Sequence, residues 1–414
     1  MTNIEIQNCL KENMMNIKNT FHDTSDLIVR KIKVGSKGSF DINIVYLDGI
    51  MDVDLIQENV IKPLLEPFKT VSFRESIVDQ VIERMIESAD VKTTTEYKVL
   101  TDSLVQGSTI LLIDGYRKGI IIPSPKWPER SIEASIGERS SRGPQIGLTE
   151  KMKTNINLIR SSLKTPDFCV ETINIGSISP TSVSILYLEG TVDKGILKEV
   201  KKRLKSLNIK YVLSERVLED VLEGKPKSFF ARVRHSERID GVVSSLFEGR
   251  VVVIVDGYPF AIIAPALFID FMQGADDYHI SMGRFTNRIM RFIAFVLGVY
   301  LPGVYIAIAN FHKDDLPNKI SKAIISNDEL LPTFWEMFIL IFLIRMLVDV
   351  SFRLPNSAVI LVSLIGTIVI GETAVNAKLI HPVSLIVIGI TALSSFLGAN
   401  RGLVGADPTL RMFF

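Results

Sequence analysis

The spacing of apolar residues changes character near residue 285. Up to about Arg284, apolar and charged residues are interleaved over short stretches, as in a water-soluble globular protein. From Arg288 onward, long uncharged runs take over. The clearest is FIAFVLGVYLPGVYIAIANF, the twenty residues between Arg291 and His312. At about 1.5 Å rise per residue, such a run spans a hydrocarbon core of about 30 Å. Pro302 lies inside it and predicts a kink, which a helical bundle tolerates when neighbours re-satisfy the freed backbone carbonyl. Three further segments follow, so the candidate spans are 289–311, 333–350, 354–373 and 379–398. The second, Phe334–Val350, is the weakest: it contains Glu336, Arg345 and Asp349, and it fits a partly embedded amphipathic helix almost as well as a full span. The third run, Leu354–Gly371, is uncharged and continues through Glu372, and the fourth, Leu379–Asn400, carries His381. A short turn around Lys378 between these last two predicts a helical hairpin.

Within residues 1–285 the hydrophobic pattern occurs twice. FDINIVYLDG at Phe40–Gly49 matches PTSVSILYLEG at Pro180–Gly190, with Tyr46 on Tyr187, Asp52 on Asp193 and Asp26 on Asp167, at an offset of 141. ILLIDGYRKGIIIP at Ile110–Pro123 matches VVIVDGYPFAIIAP at Val252–Pro265, with Asp114 on Asp256 and Gly107 on Gly249, at an offset of 142. Two segments in the same order, with the offset drifting by one, predict two copies of one module. Each copy reads as a β-rich run, a Gly, a helical stretch (Val53–Leu65 or Lys194–Leu207), a middle region (Ser76–Ser88 or Ser214–Glu223) and two apolar runs flanking Asp-Gly-Tyr. Asp-Gly between β-rich runs predicts a type I′ hairpin, so Asp114, Gly115, Asp256 and Gly257 are expected as turn residues. Lys126–Ile146, with several Pro, Ser, Gly and charges, reads as the exposed connection between modules. The expected organisation is therefore a helical extension at 1–25, α/β modules at 26–145 and 146–284, a transmembrane region at 285–400 and a short tail at 401–414. In fold class this is a duplicated soluble α/β domain followed by an all-α transmembrane bundle.

Composition narrows the function. The 414 residues carry a formal net charge of only +1, and no basic tract rich in aromatics occurs, so nothing points to nucleic acid. The two cysteines, Cys9 and Cys169, cannot build a disulfide framework and form no CxxC pair for zinc. The start, MTNIEIQNCLKENMM, shows no apolar core of a cleavable signal peptide. Arg284, Arg288 and Arg291 precede the first span and a mixed-charge stretch follows it, so the positive-inside rule places the soluble half in the cytoplasm.

No phosphate-binding loop, dinucleotide fingerprint, nucleophile elbow or HExxH pattern is present, so neither catalysis nor a cofactor is expected. Asp276, Asp277, Tyr278 and His279 crowd together, but adjacent acids point in different directions and no second ligand cluster accompanies them, so no metal is expected. Asp26, Asp167, Asp52 and Asp193 each precede an apolar-periodic stretch and are expected as helix caps. Ionisable groups at membrane depth are costly and usually face a bundle interior or water. Glu336, Arg345, Asp349 and Glu372, with the kink at Pro302, are thus the candidate pore or intramembrane polar residues, with the rim of the hydrocarbon as the plainer position for the three acids. Arg345 is the most central, and Asp349, four residues on, is its candidate partner.

Several segments carry a specific resemblance: DGYPFAIIAPALFIDFMQGADDYH, then RFTNRIMRF and the Pro-containing span, RGPQIGLTEKMKTNINLIR at Arg142–Arg160, FRLP at Phe352–Pro355, and IGTIVIGETAVNAKLIHPVSLIVIGITALSSF at Ile365–Phe396. Together they resemble the A subunit of GerA-type spore germinant receptors, from about Asp26 to Phe396. The resemblance implies a multi-pass protein of the spore inner membrane that acts with a transporter-like B subunit and a lipoprotein C subunit. It implies assembly into a homo-oligomeric, ion-conducting channel opened when nutrient binds. The chain departs from the family pattern between Leu331 and Thr333, where the family carries more sequence, and after Asn400, where the family continues with another helix and a tail. A shortened, inactive or regulatory paralogue is therefore an alternative. So is a self-sufficient small-solute transporter, although four spans are few and no inverted repeat is visible in them. An enzyme on a membrane anchor is a third class, disfavoured by the missing motifs.

Overall fold

The computed structural model describes residues 5–34, 40–65, 81, 91–126, 146–224, 230–274, 283–312, 315, 317, 330–351 and 372–397. They fall into two compact units, Met1–Gly224 with Arg232–Ala266, and Lys225–Ala231 with Leu267–Phe414.

The first unit holds two five-stranded antiparallel sheets of identical topology. One contains β1 (Leu27–Val34), β2 (Phe40–Leu47), β3 (Lys92–Thr94), β4 (Ser108–Ile113) and β5 (Gly119–Pro123), in the order β1-β2-β4-β5-β3. The other contains β6 (Phe168–Ile175), β7 (Thr181–Leu188), β8 (Arg234–Ser236), β9 (Val251–Val255) and β10 (Ala261–Ala264), in the order β6-β7-β9-β10-β8. Every residue of β4 and of β9 is buried, because helices cover both faces. That is why Ile110–Ile113 and Val251–Val255 read as unbroken apolar runs and not as an alternation of apolar and polar.

In the second sheet the two faces separate with period two. Phe168, Val170, Leu186, Leu188, Val252 and Ile254 meet α5 (Met152–Ser162) and α8 (Ile239–Phe247). Cys169, Ile185, Tyr187, Val251, Val253 and Val255 meet α6 (Lys194–Lys205) and α7 (Arg216–Glu223). The first sheet repeats the plan. α1 (Leu10–Thr20) and α4 (Tyr97–Val105) cover one face. α2 (Val53–Ile56), a π-turn at Gln57–Ile61 and α3 (Lys62–Leu65) cover the other.

Three sequence expectations change. α1 is not an extension: Leu10, Met14, Ile17 and Phe21 are core residues of the first module, in the place that α5 takes in the second. The Asp-Gly-Tyr loops are not two-residue type I′ hairpins. Five residues separate β4 from β5, and five separate β9 from β10. Gly115 and Gly257 alone take positive φ (84° and 90°), while the Tyr116 and Tyr258 N–H groups return to Ile113 and Val255 at 3.3 Å. That is the type II pattern, and its reason lies outside the loop. The Asp114 carboxylate accepts the Leu10 N–H at 3.1 Å and Asp256 accepts the Met152 N–H at 3.1 Å, so each aspartate caps a helix 104 positions away. Lastly, Asp52 and Asp193 do cap, accepting from Asp54 and Leu55 and from Gly195 and Ile196, but Asp26 and Asp167 lead into strands and cap no helix.

Asp26 instead joins the modules. Arg160 on α5 is fully buried and forks onto the Asp26 carboxylate at 2.7 and 3.0 Å, while donating to the Phe168 carbonyl at 3.0 Å. Beside it, Ser25 N–H donates to the Val170 carbonyl at 2.9 Å and the Val170 N–H donates to Thr24 Oγ1 at 2.9 Å. The segment before β1 thereby pairs with the outer edge of β6. Lys153 reaches Asp48 at 2.7 Å, and His22 approaches Asp167 at 3.5 Å, at the same junction.

The second unit contains a 3-10 turn (Phe268–Met272), α9 (Gly283–Phe311), α10 (Thr333–Ser351), the short α11 (Thr373–Asn376) and α12 (Pro382–Leu397). Among the described residues, Phe285–Phe311 is the one helix long and apolar enough to cross a membrane, and Pro382–Ser395 is apolar but shorter. The third expected span, Leu354–Gly371, the expected tail at 401–414, the acidic group at Asp276–His279, the expected helix at Ser76–Ser88 and the connection at 127–145 lie outside the described residues, apart from Val81.

Candidate functional site

Four buried polar residues among the apolar helices, Glu336, Tyr305, His381 and Ser384, meet near the start of α12. Two turn devices place them. α11 closes through Lys378, whose φ is 56°: its N–H returns to Val375 and the Leu379 N–H to Ala374, both at 2.9 Å, a Schellman closure. Pro382 then opens α12 at the position where a missing N–H costs nothing, with His381 as its cap. His381 Nδ1 accepts the Val383 N–H at 3.2 Å, so in the neutral ring the proton sits on Nε2.

Glu336 completes this end. It lies in the first turn of α10, and its backbone N–H bonds the Pro332 carbonyl at 3.1 Å. Its side chain is buried, and Oε1 accepts the backbone N–H of His381. The carboxylate therefore stands at the N-termini of two helices, its own and α12, where the aligned peptide dipoles favour negative charge. One helical turn along α12, Ser384 Oγ meets the Tyr305 hydroxyl of α9 at 3.0 Å, with both residues buried. Thr391 and Ser394 continue the buried polar positions of α12, and Thr391 Oγ1 donates back to the Val387 carbonyl at 2.7 Å. Around them Met337, Leu340, Ile380, Val387 and Ile388 form the apolar core shared by α9, α10 and α12.

Of the sequence-flagged residues, the structure brings Glu336 into this cluster. It buries Pro302 on α9, one turn before Tyr305, where the ring has no N–H to give to the Gly298 carbonyl. Arg345 and Asp349 lie exposed on the surface of α10, and Glu372 is exposed immediately before α11. Sequence reasoning missed Tyr305, His381 and Ser384 as a set. The available signal was the spacing His381, Ser384, Thr391, Ser394, a one-sided polar stripe on an otherwise apolar helix, which is how helices meet when the surroundings are themselves apolar. Among the described residues no three His, Cys, Asp or Glu side chains gather as metal ligands. The chemistry available to the cluster is helix-to-helix coupling through one carboxylate and one hydroxyl pair.

The family model described as Bacillus/Clostridium GerA spore germination protein matches residues 15–414. Spore germination protein KA of Bacillus subtilis (strain 168) is 32% identical over 408 residues, spanning 98% of this chain and 75% of the relative. Spore germination protein GerLA of Bacillus cereus is 30% identical over 397 residues, spanning 95% of this chain and 80% of the relative. The crystal structure of the N-terminal domain of the A subunit of the Bacillus megaterium spore germinant receptor GerK3 aligns with a TM-score of 0.52 at 30% identity, covering 65% of this chain and 99% of that one. The chain belongs to the GerA family of spore germination proteins.

Proposed function

We propose that this chain is a non-enzymatic membrane subunit of a nutrient-germinant receptor, and that several copies assemble to form or gate an ion channel whose opening triggers germination. The observation that carries the reading is the family match over residues 15–414, which takes in both α/β modules and the apolar helices. The subunit works with a transporter-like B subunit and a lipoprotein C subunit. It sits in the spore inner membrane as a multi-pass protein with its modules on the cytoplasmic side, an orientation supported by Arg284, Arg288 and Arg291 ahead of the apolar run. Pro302 and the acids Glu336 and Glu372 are the intramembrane groups assigned to the pore or its gate, with Arg345 and Asp349 exposed on α10.

The test is potassium and dipicolinate release from spores lacking the gene, challenged with a panel of amino acids and sugars. Loss of release toward one nutrient class, restored by the gene, is the expected outcome. Unchanged release toward every nutrient in a strain without other receptors of the family would remove the reading.

A further inference from the structure

The 3-10 turn at Phe268–Met272 has its polarity reversed relative to a turn on a water-facing surface. Its one acid, Asp270, is buried and accepts the Leu267 N–H at 2.6 Å. The residues it exposes are large and apolar: Leu267 at 53%, Phe268 at 38% and Ile269 at 48%. A water-facing turn of this size would turn the acid outward and the isoleucine inward.

Two contacts fix where the turn stands along α9. At its end, the Met272 carbonyl accepts from Arg291 Nη1 at 3.1 Å. At its start, the Phe268 ring packs edge-on against Phe295 at 5.5 Å between centroids, and Phe230 closes the group at 5.2 Å from Phe268 and 6.2 Å from Phe295. Arg291 is the last charged residue before the uncharged run Phe292–Phe311. That run alone fills a hydrocarbon core of about 30 Å, so Arg291 marks the boundary of the core. Phe295 lies four residues on, roughly 6 Å deeper. Whatever touches Phe295 shares its depth.

We infer that the Leu267–Met272 turn is a lipid-seated wedge: it enters the bilayer at the boundary between headgroups and acyl chains beside α9, with Leu267, Phe268 and Ile269 against lipid. The depth of roughly 6 Å is that at which interfacial apolar faces settle. Arg291 keeps its guanidinium at the boundary and satisfies the carbonyl at the end of the turn, which otherwise would face a region poor in water. The inference rests on the reading that α9 crosses the membrane.

The experiment uses the full chain with Trp127→Phe and Trp335→Phe, leaving one introduced tryptophan, in vesicles of phosphatidylcholine and phosphatidylglycerol. Ile269→Trp reports the turn, and Val304→Trp, at an exposed position of α9, reports the span. The expected result is blue-shifted emission from residue 269, quenched by lipids brominated on the upper acyl chain and insensitive to aqueous iodide. Residue 304 is quenched best by bromines near the bilayer centre. Quenching of 304 by lipid with iodide quenching of 269 would put the turn in water, overturning the wedge and leaving the span intact. Quenching of 304 with 269 insensitive to both agents would mean protein covers the turn, which also overturns it. If 304 itself escapes the brominated lipids, the span reading falls and the wedge falls with it. Phe268→Trp, which keeps an aromatic ring against Phe295, gives the same readout should Ile269→Trp prevent reconstitution.

Discussion

A buried ion pair says more about breaking a structure than about building it. Arg160 and Asp26 bring two charges out of water, and their attraction is opposed by that desolvation, so the pair taken whole adds little net stability. Removing one partner is different, because the other is left charged and enclosed. Asp26→Ala is expected to cost about 3–5 kcal/mol, and Asp26→Leu combined with Arg160→Met much less. Thermal unfolding of the full chain in detergent across the double-mutant cycle checks this, and equal losses in the single and double variants would refute it. The aspartate was visible in the sequence and its role was not, since an acid ahead of an apolar stretch announces a helix cap and a strand lead alike. Its partner lies 134 positions away, and Lys18 holds the site in the first module that corresponds to Arg160. Acid sensitivity has a residue-level source too. Burial pushes the Glu219 carboxyl up, but the bonds and charges of His235 (3.2 Å) and Arg216 (3.1 Å) outweigh that, leaving its pKa below the ordinary 4.5. A depressed carboxyl pKa gives stability that is present above the unfolded value and is lost as pH falls through the folded one. Glu219→Gln should therefore lower the Tm near neutrality and narrow its gap to the parent below about pH 4.5, with the two curves meeting at the acid end. A gap constant from neutral to acid pH would exclude this origin.

At the level of elements, the duplication is carried by backbone-directed aspartates and asparagines as much as by the core. Asn13 bonds the N–H and the carbonyl of Gln7 through its amide, and Asn155 does the same for Thr149, so each leading helix is pinned to the chain just before it. Asp114 and Asp256 then tie those helix starts to the loops between central strands. Asp256→Ala should cost about 1 kcal/mol, as for other caps, and raise hydrogen exchange first in Met152–Ser162. Exchange rising in β9 and β10 instead would mean that the aspartate serves its own turn. Central strands were legible because both faces are covered and the apolar runs are unbroken. Short amphipathic helices such as Lys194–Lys205 were legible from their spacing and their Asp193 cap. The module membership of α1 was not, since it is decided by contacts across about a hundred residues that no local pattern encodes. The five-residue loops were missed for the same reason: Asp-Gly favours a tight turn locally, and the distant helix N–H recruits the aspartate away from it.

For the whole molecule, Glu336 and Glu372, two of the three acids flagged as pore candidates, stand in different physical situations and should fail differently. Glu336 is enclosed and joins α10 to His381, the residue that caps α12, so its loss acts through helix assembly. Glutamine keeps an oxygen for the His381 N–H but gives up the charge that two helix N-termini stabilise, whereas leucine removes both. The expected order of potassium release in germinating spores is parent, then Glu336→Gln, then Glu336→Leu, with the leucine variant also depleted from the membrane fraction. Glu372 is exposed, and in the proposed channel assembly an exposed acid at a helix end would supply a cation-attracting ring. Glu372→Gln should leave the amount of protein in the membrane unchanged and shift flux or ion preference. If Glu372→Gln left both flux and preference untouched, the assignment of Glu372 to a pore would fall. If Glu336→Leu supported parent-like release at parent-like abundance, the tie between α10 and α12 would be a packing detail and not a part of the gate. Measuring abundance beside release keeps the two failures apart, because a carboxylate that holds helices together changes how much receptor exists, and one that faces ions changes what the receptor conducts.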